Sequence, residues 1–133
     1  MQSNKNTSRW SQYRILLVDD EPDITWCFNI VLEDSGFIVD SFNDPLKALS
    51  SFKRGLYNMA LIDIKMPKMN GFELFREIRK IDNNVKVSFM SAFDIPMEDL
   101  KAVAPSLNEK TPPILKKPVL VDDLVSSVKS RLE

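Results

Sequence analysis

Five short apolar runs, each followed by a stretch of helical period, constrain the fold of this chain more than any other feature. The runs are Ile15 to Val18, Phe37 to Ser41, Met59 to Ile62, Val85 to Met90 and Pro113 to Leu115. They are too short for ordinary helices, and most are continuously apolar, as strands covered on both faces should be. The second alternates apolar with polar residues. Pro112 and Pro113 precede or open the last run and lack N–H donors, which places that strand at a sheet edge.

The intervening stretches read as amphipathic helices. After the first run, Ile24, Cys27, Phe28, Val31 and Leu32 fall at i, i+3, i+4, i+7 and i+8, with Pro22 near the start and Gly36 past the end. Cys27 in that face reads as a small core hydrophobe. A second helix spans about Asp44 to Lys53, with Asp44 as N-cap, Pro45 at the first helical position and Gly55 beyond the end. A third carries Phe72, Leu74, Phe75 and Ile78. A fourth is expected from Pro96 to Val103, followed by Ala104 to Lys110 without clear period. The last, Val119 to Leu132, presents Leu120, Leu124, Val125 and Val128 on one face. Strand then helix, five times over, gives an α/β fold. It is a (βα)5 doubly wound five-stranded parallel sheet with right-handed crossovers and helices on both faces. The expected organisation is a flexible N-terminal tail, residues 1–12, and one domain over 13–133. A chain of 133 residues buries roughly two-thirds of its unfolded surface and needs no disulfide or metal to fold.

In such sheets ligands bind beyond the carboxyl ends of the strands. Asp19 and Asp20 end the first run, Asp63 ends the third, Ser91 follows the fourth and Lys117 follows the fifth. Composition limits what this rim can do. With 18 basic and 19 acidic residues the net charge is −1, so no global field attracts nucleic acid or an anionic membrane. No stretch approaches membrane-spanning length or forms a signal peptide, and a single cysteine, Cys27, suits a reducing compartment, so the expected location is cytoplasmic. Histidine is absent, which removes the commonest general base and metal ligand. The chemistry must run on carboxylate, hydroxyl and amine. Trp10 and Trp26 read as surface or docking aromatics, Met66, Met69 and Met90 as core and loop packing, and Lys116 as a solvated amine.

Four motifs stand in order at these strand ends: Leu17-Val18-Asp19-Asp20-Glu21-Pro22, the run from Asp63-Ile64-Lys65-Met66-Pro67 to Asn70-Gly71-Phe72-Glu73-Leu74, Met90-Ser91-Ala92, and Leu115-Lys116-Lys117-Pro118. On them the chain, from about Tyr13 to Leu132, resembles the CheY-like receiver domain of two-component response regulators. The resemblance implies the flavodoxin-like strand order 2-1-3-4-5. The first and third strands then lie about 4.8 Å apart and bring Asp63 against Asp19 and Asp20. Two carboxylates at about 4 Å repel by roughly 4 kcal/mol at an effective dielectric of about 20, which a hard divalent cation offsets. Magnesium, with its preference for oxygen ligands and retained waters, suits this set.

The resemblance also implies roles. Asp63 is the nucleophile that becomes phosphorylated, with a sensor histidine kinase or a histidine phosphotransfer protein as donor in trans. Asp20 and Asp63 ligate magnesium directly, Asp19 largely through water, and the backbone carbonyl of Lys65 adds a ligand. Lys117 counters the phosphoryl charge, Ser91 moves to bond the new group, and Pro118 follows a cis peptide. Lys65 and Phe93 flank the path of hydrolytic water. Two departures stand out: Ile114 replaces the family's usual aromatic, and Pro105-Ser106-Leu107-Asn108 replaces a small Gly-Ala pair. The expected protein is a stand-alone switch signalling through contacts with a downstream protein effector, docking in part through the first helix near Ile24 and Trp26. It is not a turnover enzyme on external substrates, but catalyses its own magnesium-dependent phosphorylation and dephosphorylation. One alternative is a pseudo-receiver that acts without phosphorylation. Another is an aspartyl-phosphate hydrolase, whose second aspartate two residues after the nucleophile is not matched by Asp19-Asp20.

Overall fold

The computed structural model describes residues 9–96, 98, 99, 101, 102 and 114–133. A 3-10 turn over Arg9–Gln12 leads into β1 (Arg14–Val18), α1 (Pro22–Asp34), β2 (Ile38–Phe42), α2 (Pro45–Ser51), β3 (Met59–Asp63), α3 (Gly71–Ile81), β4 (Lys86–Ser91), β5 (Ile114–Lys116) and α4 (Val121–Leu132). The strands pair in parallel in the order β2-β1-β3-β4-β5, the flavodoxin-like arrangement expected from the sequence. β5 lies at an edge. Glu98, Asp99, Lys101 and Ala102 are helical, in keeping with the helix expected from Pro96 to Val103. The readings of Ala104 to Lys110, of Pro105-Ser106-Leu107-Asn108, and of Pro112 and Pro113 fall outside the described residues.

Strand alternation divides the apolar side chains between two cores. Leu16, Val18, Ala60, Ile62, Val87 and Phe89 pack with Ala48, Phe52, Leu74, Phe75 and Ile78 of α2 and α3 and their flanks. Ile15, Leu17, Met59, Leu61 and Met90 pack on the other face with Phe28 and Leu32 of α1 and Leu124 and Val128 of α4. Register then sets the rim. Val18 pairs with Ile62, so the next residues, Asp19 and Asp63, emerge side by side. Ser91 pairs with Lys116, which brings Lys117 to the same edge. Asp44 caps α2 by accepting from the Leu46 N–H at 2.9 Å. Asn70 and Glu73 form a reciprocal capping box at α3.

Three sequence readings are corrected. Cys27 is exposed, because it lies about 100° round the helix from Phe28, on the side away from Leu32. Thr25 takes the buried face instead, its hydroxyl donating to the Pro22 carbonyl at 3.1 Å and accepting from Asn43 Nδ2 at 2.8 Å. Leu120 is the N-cap of α4 and 67% exposed, so it stands outside the apolar face read for it. Trp10 is no surface aromatic but is buried. It fills the second core at the amino end of β1, with ring centroids 5.3 Å from Phe37 and 5.5 Å from Tyr13. The Arg9 guanidinium lies 4.5 Å and the Lys129 amine 5.6 Å from its ring centre. Trp26, by contrast, is 72% exposed on α1, as expected. Among the described residues, no helix is long and apolar enough to cross a membrane.

Candidate functional site

The end of β1 is fixed by backbone and side-chain bonds that leave its acids at the rim. Asp19 N–H continues the ladder to the Phe42 carbonyl at 3.1 Å. Its Oδ1 accepts from Glu21 N–H at 2.9 Å, an Asx turn that swings the chain into α1. Asn43 Nδ2 donates to the Asp19 carbonyl at 2.8 Å. Asp19 and Asp63 are both buried and Asp20 half-buried. One carboxylate oxygen from each of the three lies within 4.8 Å of the others.

Lys117 reaches this cluster from the far side. Its N–H donates to the Ser91 carbonyl at 2.8 Å, and the Lys117–Pro118 peptide is cis, as the sequence resemblance implied. The amine lies 2.7 Å from Asp19 Oδ2, 3.2 Å from Glu21 Oε1 and 3.3 Å from Asp63 Oδ1, with 9% of its side chain exposed. Desolvation alone would depress its pKa, but the polar contact and charge of Asp19, the charge of Asp63 and the hydrogen bond to Glu21 outweigh it and hold the amine above its usual range. Burial, and after it the neighbouring Asp19 carboxylate, pushes Asp63 up to about 7. Burial also raises Asp19, which Lys117 only partly offsets. Although Lys117 touches Asp19 Oδ2, no donor meets that buried oxygen in hydrogen-bond alignment. An all-oxygen donor set with surplus negative charge and an under-bonded buried oxygen fits a hard divalent cation.

The other expected residues stand on the same rim in different states. Ser91 is buried, and its hydroxyl donates to the Phe93 carbonyl at 2.9 Å and accepts from the Phe93 N–H at 3.0 Å. It is thus a turn hydroxyl in this structure. Lys65 lies in the loop after β3, its amine 4.7 Å from the Phe93 ring centre. Lys116 points away and pairs with exposed Asp94 at 2.8 Å, as a surface amine. Ile114 is partly buried against the first core.

The loop after β3 is drawn tightly over Asp63 by Gly71. Its N–H donates to the Ile64 carbonyl at 2.8 Å. A Cβ there would sit 2.5 Å from the Asp63 carbonyl oxygen and 2.9 Å from Ile64 Cα, so the close approach requires glycine. Sequence reasoning assigned no role to Glu21, which the structure makes the third carboxylate on Lys117. Its position directly after Asp19 and Asp20, at the turn into α1, was the available signal.

Comparison with known proteins agrees with this fold. Residues 15–129 match the model of the response regulator receiver domain. The transcriptional regulatory protein CpxR homolog of Haemophilus influenzae is 35% identical over 90% of this chain, which spans 50% of that protein's length. The response regulator receiver protein CpdR of Brucella abortus is 30% identical over 90% of this chain and 96% of its own. Among solved structures, TrrA of Thermotoga maritima in complex with Mg(2+)-BeF is 31% identical with a TM-score of 0.75, over 90% of this chain and 99% of that one. TrrA with the histidine kinase ThkA aligns at 30% identity and a TM-score of 0.75, over 91% and 99%. Receiver domains are signalling domains rather than substrate-turnover enzymes, they bind magnesium at an acidic pocket, and they pair with histidine kinases. With the whole five-stranded unit, its acidic rim and these relatives in agreement, the chain belongs to the response regulator receiver domain family of two-component signalling.

Proposed function

We propose that the domain accepts a phosphoryl group on Asp63 from the phosphohistidine of a histidine kinase or phosphotransfer protein; its boundary is not at residue 13, as read from the sequence, because the Arg9–Gln12 turn buries Trp10 in the second core and belongs to the folded unit. The domain then signals in the cytoplasm by contact with a downstream protein, without binding nucleic acid or inserting into a membrane. The observation that carries this reading is Asp63 itself: buried, grouped with Asp19 and Asp20 and 3.3 Å from the Lys117 amine.

A carboxylate oxygen of Asp63 attacks phosphorus, an O–P bond forms as the N–P bond of the donor breaks, and the imidazole leaves and takes up a proton. Lys117 meets charge on the phosphoryl oxygens with a fixed ammonium. Ser91 gives up its bonds to Phe93 and donates to the new group. Asp20 and Asp63 directly, Asp19 through water, and the Lys65 backbone carbonyl would hold magnesium, whose charge when bound favours ionised Asp63 and neutralises the incoming oxygens. The kinase complex of TrrA supports a donor of this class. Acetyl phosphate with magnesium is expected to shift wild-type mobility on a phosphoprotein gel and to leave Asp63→Asn unmoved. An unshifted wild type would favour a pseudo-receiver that binds its partner without phosphorylation.

A further inference from the structure

Three carboxylates compete for one ammonium at the rim, and they are not equivalent. Lys117 has three N–H donors, and three oxygens, from Asp19, Glu21 and Asp63, surround it at 2.7, 3.2 and 3.3 Å. An incoming phosphoryl oxygen must share that one ammonium with the carboxylates already against it. Asp19 cannot yield, because it is wholly buried and its other oxygen is tied to the Glu21 N–H. Asp63 is the acceptor. The Glu21 side chain is 61% exposed, and among the described residues Lys117 is its one ionic contact. Its carboxylate reaches full hydration by a side-chain rotation, so of the three it gives up the buried ammonium at the least cost.

We propose that Glu21 is a positioning residue that acts through Lys117, holding the amine at the rim while Asp63 is free and leaving when an oxyanion arrives. The proposal rests on the phosphoacceptor reading and adds a regulatory contact to it. Glu21 lowers anion affinity by competition while keeping Lys117 pre-aimed. It also lies beyond the three acids grouped as a cation site, so its effect is on the anion at saturating magnesium rather than on the metal.

The test uses beryllofluoride as the phosphoryl mimic, titrated at saturating magnesium into wild type, Glu21→Ala, Glu21→Gln and Asp23→Asn, and followed by backbone chemical shifts. Asp23→Asn removes the same charge from the same helix turn, at a residue with no contact to Lys117 among the described ones. Removing the exposed competitor should tighten beryllofluoride binding about two- to five-fold in Glu21→Ala, and less in Glu21→Gln, which keeps a neutral acceptor. Asp23→Asn should bind like wild type. The gain should shrink at high salt, as expected of a screened pair. Equal affinity in Glu21→Ala and wild type would overturn the proposal, as would an equal gain in Asp23→Asn, which would show a general field instead of a contact. Failure of wild type to bind the mimic at all would instead sink the phosphoacceptor reading and this proposal with it.

Discussion

Asp63 and Asp82 are the same residue type, buried to the same degree at 4% and 5% exposure, at opposite ends of the sheet, and their environments drive them apart. Asp82 sits below β4, where its oxygens accept the Gly55 N–H at 2.9 Å and the Asn84 N–H at 2.8 Å. Desolvation pushes that carboxyl up, but backbone donors from Gly55, Asn84 and Val85 together outweigh it and hold Asp82 below the usual range. Asp63 at the upper rim is raised by burial first and then by the facing Asp19 carboxylate, with a shared Lys117 ammonium that only partly opposes them. Burial therefore does not make a site by itself. A carboxylate saturated by backbone N–H groups is structural, whereas one left short of donors beside a like charge is poised for a cation and an electrophile.

The lower end also carries the Trp10 turn, so the two ends divide stability from chemistry. The largest expected effect lies there. Trp10→Ala should cost about 3–5 kcal/mol in chemical denaturation, while magnesium and beryllofluoride affinities stay within about two-fold of wild type. A collapse of ligand binding in a still-folded Trp10→Ala protein would break the division.

A smaller effect separates the two aspartates. Asp82→Asn should cost about 1–3 kcal/mol, since it sets an amide donor against backbone N–H groups, and should leave the rim active. Their pH signatures have opposite sign. Asp63 is raised, so between the ordinary aspartate value and about 7 the native state binds more protons than the unfolded chain, and stability falls as pH rises through that window. Asp82 is lowered; its contribution is present above the unfolded value and disappears as pH falls through its folded value. Denaturation curves from pH 3 to 8 should therefore lose part of their neutral-side decline in Asp63→Asn, the rest coming from Asp19, which burial also raises, and part of their acid-side decline in Asp82→Asn. Unchanged slopes in both would remove the contrast.

Much of this was legible in the chain because strand ends are local signals. Val18 before Asp19 and Ile62 before Asp63 marked where apolar runs stop, and parallel register did the rest. Cys27, Leu120 and Trp10 were misread for a shared reason. Periodicity locates a face only to within a residue or so of its border, and a turn ahead of the first strand carries no periodicity at all. Thr25 is buried because Asn43, eighteen residues on, satisfies its hydroxyl, which no local pattern reveals. Glu21 carried a local signal in its place after Asp19 and Asp20, but its partner Lys117 lies 96 residues away.

The most direct test of the central claim is a magnesium titration at pH 7.5, followed by chemical shifts, in wild type, Asp63→Asn and Asp82→Asn. The account predicts saturable shifts centred on Asp19, Asp20 and Asp63 in wild type and Asp82→Asn, with at least ten-fold weaker binding in Asp63→Asn. Equal affinity in all three proteins, or shifts spread over the acidic surface without saturation, would contradict it.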